Sequence, residues 1–182
     1  MKLRMWASIA CLLAGCGDSG LDDGSGGGGT QPAEGVCQFT IGGDTNDIVK
    51  ERGEFYFDGS TLKGNCMRDF TNGTEIVADL ELKAYQGPGQ SVTIDESEAW
   101  GSVGFDGNDG FRYSIIFDPP AGRPPAKCTV TVDEGPTEAK ANERISVTFD
   151  CPNIYGLDYS GTSTDTHEVA VTEGHWEATT FQ

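Results

Sequence analysis

Residues 99–117, AWGSVGFDGNDGFRYSIIF, decide the fold class. Taking Asp106-Gly107-Asn108-Asp109-Gly110 as a loop sets Phe105 opposite Phe111 and Val103 opposite Tyr113. The same register sets Gly101 opposite Ile115 and Ala99 opposite Phe117. One face is then apolar and the other mostly polar, the pattern of an antiparallel pair buried on one side. Trp100 and Ile116 break the pattern and are predicted on the outer face.

Working outward, the same grammar recurs. Around Thr71-Asn72-Gly73, a three-residue loop with Gly73 in the left-handed region sets Arg68 opposite Ile76, Cys66 opposite Ala78 and Gly64 opposite Leu80. A two-residue Asn72-Gly73 turn would instead place Cys66 against Asp79 on the wetter face, so the first register is preferred. Towards the C-terminus, His167–Thr172 and His175–Thr180 flank Glu173-Gly174. A hairpin there opposes Val171 to Trp176 and Val169 to Ala178, which makes Trp176 a core residue.

No apolar stripe of period 3.6 is sustained, and the only helical expectation is a turn near Ile48-Val49-Lys50. Pro119-Pro120 and Pro124-Pro125 mark a long connection between strands. Many short alternating segments predict an all-β domain over residues 36–182, an antiparallel β-sandwich of immunoglobulin-like or jelly-roll-like kind. A β-barrel is the alternative. A chain of that length buries about two thirds of its unfolded surface, enough for one core.

The 182 residues carry 12 Lys and Arg against 29 Asp and Glu, a formal charge of −17. Such a surface repels polyanions, so no nucleic-acid partner is expected. Lys2 and Arg4 precede a short apolar run from Met5 to Leu13, too short to span a bilayer as a helix. Residues 1–15 therefore read as a secretory signal. Its end, Leu13-Ala14-Gly15-Cys16, resembles the lipobox of bacterial lipoproteins. The resemblance implies cleavage before Cys16 and acylation of that residue, giving attachment to a membrane through several acyl chains. The expected location is the bacterial cell envelope, with the outer membrane preferred over the inner. Residues 17–35, GDSGLDDGSGGGGTQPAEG, contain almost nothing that could enter a core. With Cys16 they read as a tether of roughly 25 Å reach.

Loss of Lys2 and Arg4 with the signal leaves 10 basic residues against 29 acids, −19. Setting aside Asp18, Asp22, Asp23 and Glu34 leaves a head with 10 against 25, −15.

Cys11 belongs to the signal and Cys16 to the lipid site, so Cys37, Cys66, Cys128 and Cys151 remain. Their separations of 29, 62 and 23 residues are poor zinc-site spacing, and an exported domain favours disulfides. If Lys127–Asp133 and Arg144–Cys151 form a hairpin, aligning Val132 with Val147 and Val130 with Phe149 puts Cys128 opposite Cys151. Directly opposed residues bring Cβ atoms near bridging range. Cys128–Cys151 is therefore predicted, and Cys37–Cys66 by elimination.

Chemistry is harder to find. His167-Glu168-Val169-Ala170-Val171 opens like a zincin motif but has Val where the second His must stand. Gly161-Thr162-Ser163-Thr164-Asp165 lacks the second Gly of a nucleophile elbow. The loop Asp106–Gly110 offers oxygen ligands but is too short for an EF-hand. Asp95-Glu96-Ser97-Glu98 reads as a solvated link between strands. No catalytic residue, metal site or cofactor is expected.

Trp100 is the one aromatic pushed outward: the favoured reading is that it lies beneath another strand of the sandwich, and the alternative is a candidate surface for a sugar or a protein, which Tyr85, Tyr155 or Tyr159 on the same surface would support. Ala84–Ile94, Cys128–Val132 and Arg144–Cys151 resemble segments of uncharacterised bacterial lipoproteins with a single β-rich domain. That resemblance implies an exported β-domain and carries no catalytic residues. The leading expectation is a lipid-anchored, non-enzymatic envelope protein that binds another protein or a glycan. A carboxylate-dependent envelope hydrolase and a calcium-stabilised adhesin module are the alternatives.

Overall fold

Alternation of apolar and polar residues becomes ten strands in a computed structural model that describes residues 35–158 and 166–181. They are β1 (Gly35–Gly43), β2 (Asp47–Asp58), β3 (Thr61–Phe70), β4 (Gly73–Leu82), β5 (Ser91–Asp95), β6 (Gly101–Asp106), β7 (Phe111–Ser114), β8 (Lys127–Glu134), β9 (Arg144–Asp158) and β10 (Thr166–Phe181). The signal, Cys16 and nearly all of the expected tether lie outside the described residues, as do Tyr159 and Gly161–Asp165.

Eight strands close on themselves in the order β1-β2-β3-β4-β6-β7-β9-β10, with β10 returning to β1, and every pairing in that ring is antiparallel. The expected sandwich therefore gives way to its alternative, a β-barrel. The reason lies in strand length. β2, β9 and β10 run 12, 15 and 16 residues, long enough to coil around the core and meet. The second half of β9 pairs with β7 inside the ring, while its first half pairs with β8. Beyond β8 lies β5, the last strand of the sheet.

The opening hairpin has the right faces but a register displaced by two residues, Phe105 opposing Tyr113 and Asp106 opposing Arg112. The Gly107 amide donates to the Phe111 carbonyl at 2.8 Å, and Gly110 takes φ +85°. The loop thus tightens to Asn108-Asp109-Gly110. A shift of two preserves which side chains face inward. Trp100 and Ile116 are exposed, 44% and 48%, as the pattern predicts.

The second hairpin keeps Cys66 opposite Ala78 and Gly64 opposite Leu80, but Arg68 meets Glu75 rather than Ile76. The register shifts between Cys66 and Met67, so Val77 and Ala78 are consecutive yet both buried, and the turn needs only Thr71 and Asn72.

Two expectations are corrected outright. The C-terminal hairpin does not form: β10 runs straight through Glu173-Gly174, pairing with β1 on one edge and β9 on the other. Glu173 (φ +54°) and Gly174 form an irregularity that bends the strand instead of reversing it. The helical turn at Ile48-Val49-Lys50 is instead strand β2, with Val49 buried and Ile48 exposed as alternation demands.

Trp176 is in the core, 2% exposed, its ring 5.5 Å from Phe55. Gly53 and Gly64 make its slot, since a Cβ at Gly53 would lie 2.7 Å from the indole nitrogen and one at Gly64 3.2 Å from the ring. Phe39 sits 5.7 Å from both Phe105 and Phe149. A void lined by Phe39, Leu80, Val103, Phe105 and Trp176 amounts to about 10 Å³, at the threshold for one water.

Two disulfides complete the core. Cys128–Cys151 joins β8 to β9 (Cα–Cα 4.1 Å), in the register that also pairs Val130 with Phe149 and Val132 with Val147. Cys37–Cys66 joins β1 to β3 (Cα–Cα 5.8 Å), the strands on either side of β2. All four cysteines are buried.

Candidate functional site

The barrel interior is packed with aromatic rings, Phe39, Phe55, Phe105, Tyr113 and Trp176 among them. On the outer surface a groove lies around Trp100, lined also by Gln86, Gly89, Gln90 and Ser91–Thr93. Each wall has a local cause. Gly101 takes φ +146°, and a Cβ there would overlap the Glu81 carbonyl, so only glycine lets the backbone press onto β4 as β6 starts. The Lys83 amide donates to the Trp100 carbonyl at 2.8 Å. The Trp100 backbone is thus fixed while its indole remains exposed.

The opposite wall is the turn at Gln86–Gln90. The Gln90 side chain folds back on it, its Oε1 accepting from the Gln86 amide at 2.8 Å and its Nε2 donating to the Ala84 carbonyl at 3.1 Å. Tyr85 anchors the turn from below, donating its hydroxyl to the Pro136 carbonyl at 2.8 Å, and burial pushes that phenol above its ordinary pKa. Between Thr93 and Trp100 the chain passes through Asp95–Glu98, the expected link between β5 and β6. The Ser97 hydroxyl and amide donate to the Asp95 carboxylate and hold it below the usual carboxylate range.

Of the companions expected for Trp100, Tyr85 and Tyr155 are buried, Tyr85 beneath the Gln86–Gln90 turn and Tyr155 donating to the Pro124 carbonyl at 2.7 Å. The indole's neighbours are amides, hydroxyls and a strand edge, not further aromatics.

A second cluster escaped the sequence reading. Asp109 accepts from the Tyr113 hydroxyl at 2.7 Å and the Phe111 amide at 3.2 Å, and His167 Nδ1 lies 3.2 Å away. The His167 ring stacks on Phe111, centroids 3.7 Å apart. Burial works against the Asp109 charge, but these hydrogen bonds outweigh it and hold the carboxyl low. Burial, aided by the Asp109 charge, raises the Tyr113 phenol far above its ordinary value. Asp109 and Tyr113 are separated by only four residues, but His167 comes from β10, and no local pattern announces it.

These bonds also occupy the loop that offered oxygens to calcium. Asp109 is committed to Tyr113, Phe111 and His167, Asn108 accepts from Thr45 at 3.3 Å, and Asp106 pairs with Arg112 at 3.0 Å. Arg112 also pairs with Asp79, whose carboxyl burial raises despite the guanidinium. Among the described residues no group of three His, Cys, Asp or Glu side chains is arranged to hold a metal. His167 lies on a strand, not on a helix that would make a zincin pair.

Fold and groove together define a disulfide-stapled antiparallel barrel with a solid interior and a polar, Trp-centred surface cleft. No protein-family model, curated protein or solved structure matches the chain.

Proposed function

We propose that the protein is a lipid-anchored, non-enzymatic component of a bacterial cell envelope, held to the membrane through Cys16 and presenting the barrel as a binding head. What carries the anchoring is the sequence Leu13-Ala14-Gly15-Cys16, placed after a basic and apolar signal and before a glycine-rich tether. Two disulfides buried in the head agree with export to an oxidising compartment. What favours a surface contact is the groove around Trp100, beside which the space lined by Phe39, Leu80, Val103, Phe105 and Trp176 amounts to only about 10 Å³.

Changing Cys16 to Ser in the full chain should abolish incorporation of labelled fatty acid and release the protein from membranes. Label retained by the variant refutes the anchor. Cross-linking in native envelopes then reports whether the head contacts a protein or a glycan.

A further inference from the structure

β5 is the terminal strand of the sheet, pairing with β8 along Ser91–Asp95; no described strand is hydrogen-bonded to its other edge, although β6 comes close to it. The Val132 amide donates to the Gln90 carbonyl, which fixes the alternation. The backbone groups of Val92 and Ile94 then point to β8, and those of Ser91 and Thr93 point to the open edge. An unpaired edge is a template for another strand, and most proteins guard theirs with lysine, proline or a covering segment. β5 contains neither lysine nor proline, its one charged residue is Asp95 at the end, and Ser91 and Thr93 are exposed.

The groove beside this edge supplies what a docked strand would need. Trp100 offers an aromatic face, and the Gln86–Gln90 turn forms a braced wall. Asp95 ends β5, and the exposed Glu96 and Glu98 follow it in the turn that leads to Trp100. Lys83 donates to the Glu98 carbonyl at 2.8 Å, and Lys127 opposes Asp95 across the β5–β8 ladder. The head as a whole carries 10 basic residues against 25 acidic ones.

We propose that the free edge of β5 captures a short, extended, basic segment of a partner polypeptide as an added strand, with Trp100 and the Asp95–Glu98 turn receiving its lysine or arginine side chains. Main-chain hydrogen bonds from Ser91 and Thr93 supply affinity, and side chains at alternate positions supply selectivity. A cation over the indole face is stabilised by the ring quadrupole, and the neighbouring carboxylates add long-range attraction. The five residues of β5 set the length of the docked segment. This inference rests on reading the barrel as a binding head.

The test uses the full chain solubilised in mild detergent and a dye-labelled peptide alternating lysine with valine, read by fluorescence anisotropy. Three probes accompany it: the same peptide N-methylated at alternate amides, a glutamate–valine counterpart, and an oligomer of N-acetylglucosamine. The lysine peptide should bind, weaken as salt rises, and lose at least about tenfold in affinity on N-methylation. Thr93→Pro removes a donor only from the open edge, and Trp100→Ala removes the aromatic face; each should weaken binding about tenfold or more. Should the proline variant fail to fold, Trp100→Ala and the N-methylated peptide decide the matter.

Equal binding of the N-methylated peptide, indifference to Trp100→Ala, or no binding of the lysine peptide overturns the proposal. Preference for the sugar oligomer also overturns it, while leaving the binding-head reading intact. Fatty-acid labelling at Cys16 is untouched by any of these outcomes.

Discussion

Removing the Cys128–Cys151 bridge by the double change Cys128→Ala and Cys151→Ala should destabilise the head by about 4–5 kcal/mol. The bridge closes a loop of 23 residues. Chain-entropy arithmetic for that length gives about 3.4 kcal/mol at 25 °C, through freedom denied to the unfolded chain. Both cysteines are fully buried, so alanine adds a small void worth roughly 1 kcal/mol. Set against a total stability of about 5–15 kcal/mol, the loss is large and should lower Tm by about 10–15 °C. Equilibrium urea unfolding followed by far-UV circular dichroism measures it. If the effect acts through the unfolded state, the denaturant slope m should rise, because the unlinked chain exposes more surface. A loss below about 1 kcal/mol with unchanged m would refute the reasoning. The Cys37–Cys66 pair closes a loop of 29 residues, for which the same arithmetic gives about 3.6 kcal/mol. The two double variants should therefore be nearly equal, although one bridge joins paired neighbours and the other joins strands flanking β2.

Asp109 should make stability depend on pH in a stated direction. Its carboxyl titrates below the ordinary value in the folded protein, so the unfolded chain binds the extra proton. The stabilisation is full above the ordinary carboxylate pKa of about 3.9 and is lost as pH falls through the lower folded value. Asp109→Asn should flatten that part of the urea-midpoint profile between pH 5 and 2, and an unchanged profile would contradict the assignment. Gly101→Ala should cost more than about 3 kcal/mol, because it combines a left-handed φ with overlap on the Glu81 carbonyl. A folded variant with near-native thermal stability would show that the β4–β6 approach can relax.

Strand faces were legible because alternation survives errors of register. A slip of two residues in the Phe105–Phe111 hairpin changed every partner and no orientation. The Cys128–Cys151 pairing was legible because four apolar residues on two strands admit one in-face alignment. Closure into a barrel was not, since it depends on how far β9 and β10 coil, and Glu173-Gly174 looks the same in a turn and in a bend. Trp100 was visible as an exception to alternation. The rest of its groove was hidden, because Gln86 and Gln90 become walls only when β5 is placed at the sheet's edge. His167 meets Asp109 from 58 residues away, a distance no local rule can bridge.

The position of Cys37 has a mechanical meaning. The described chain begins at Gly35, and only two residues later it is bonded covalently to β3. Traction applied to the preceding residues would be delivered to a sulfur–sulfur bond before it could peel Gln38–Gly43 from β2 and β10. Tension then passes directly into β3, held on both edges by β2 and β4. A barrel fastened in this way would resist unzipping from the end at which it is pulled, and reduction would change its tear strength more than its shape.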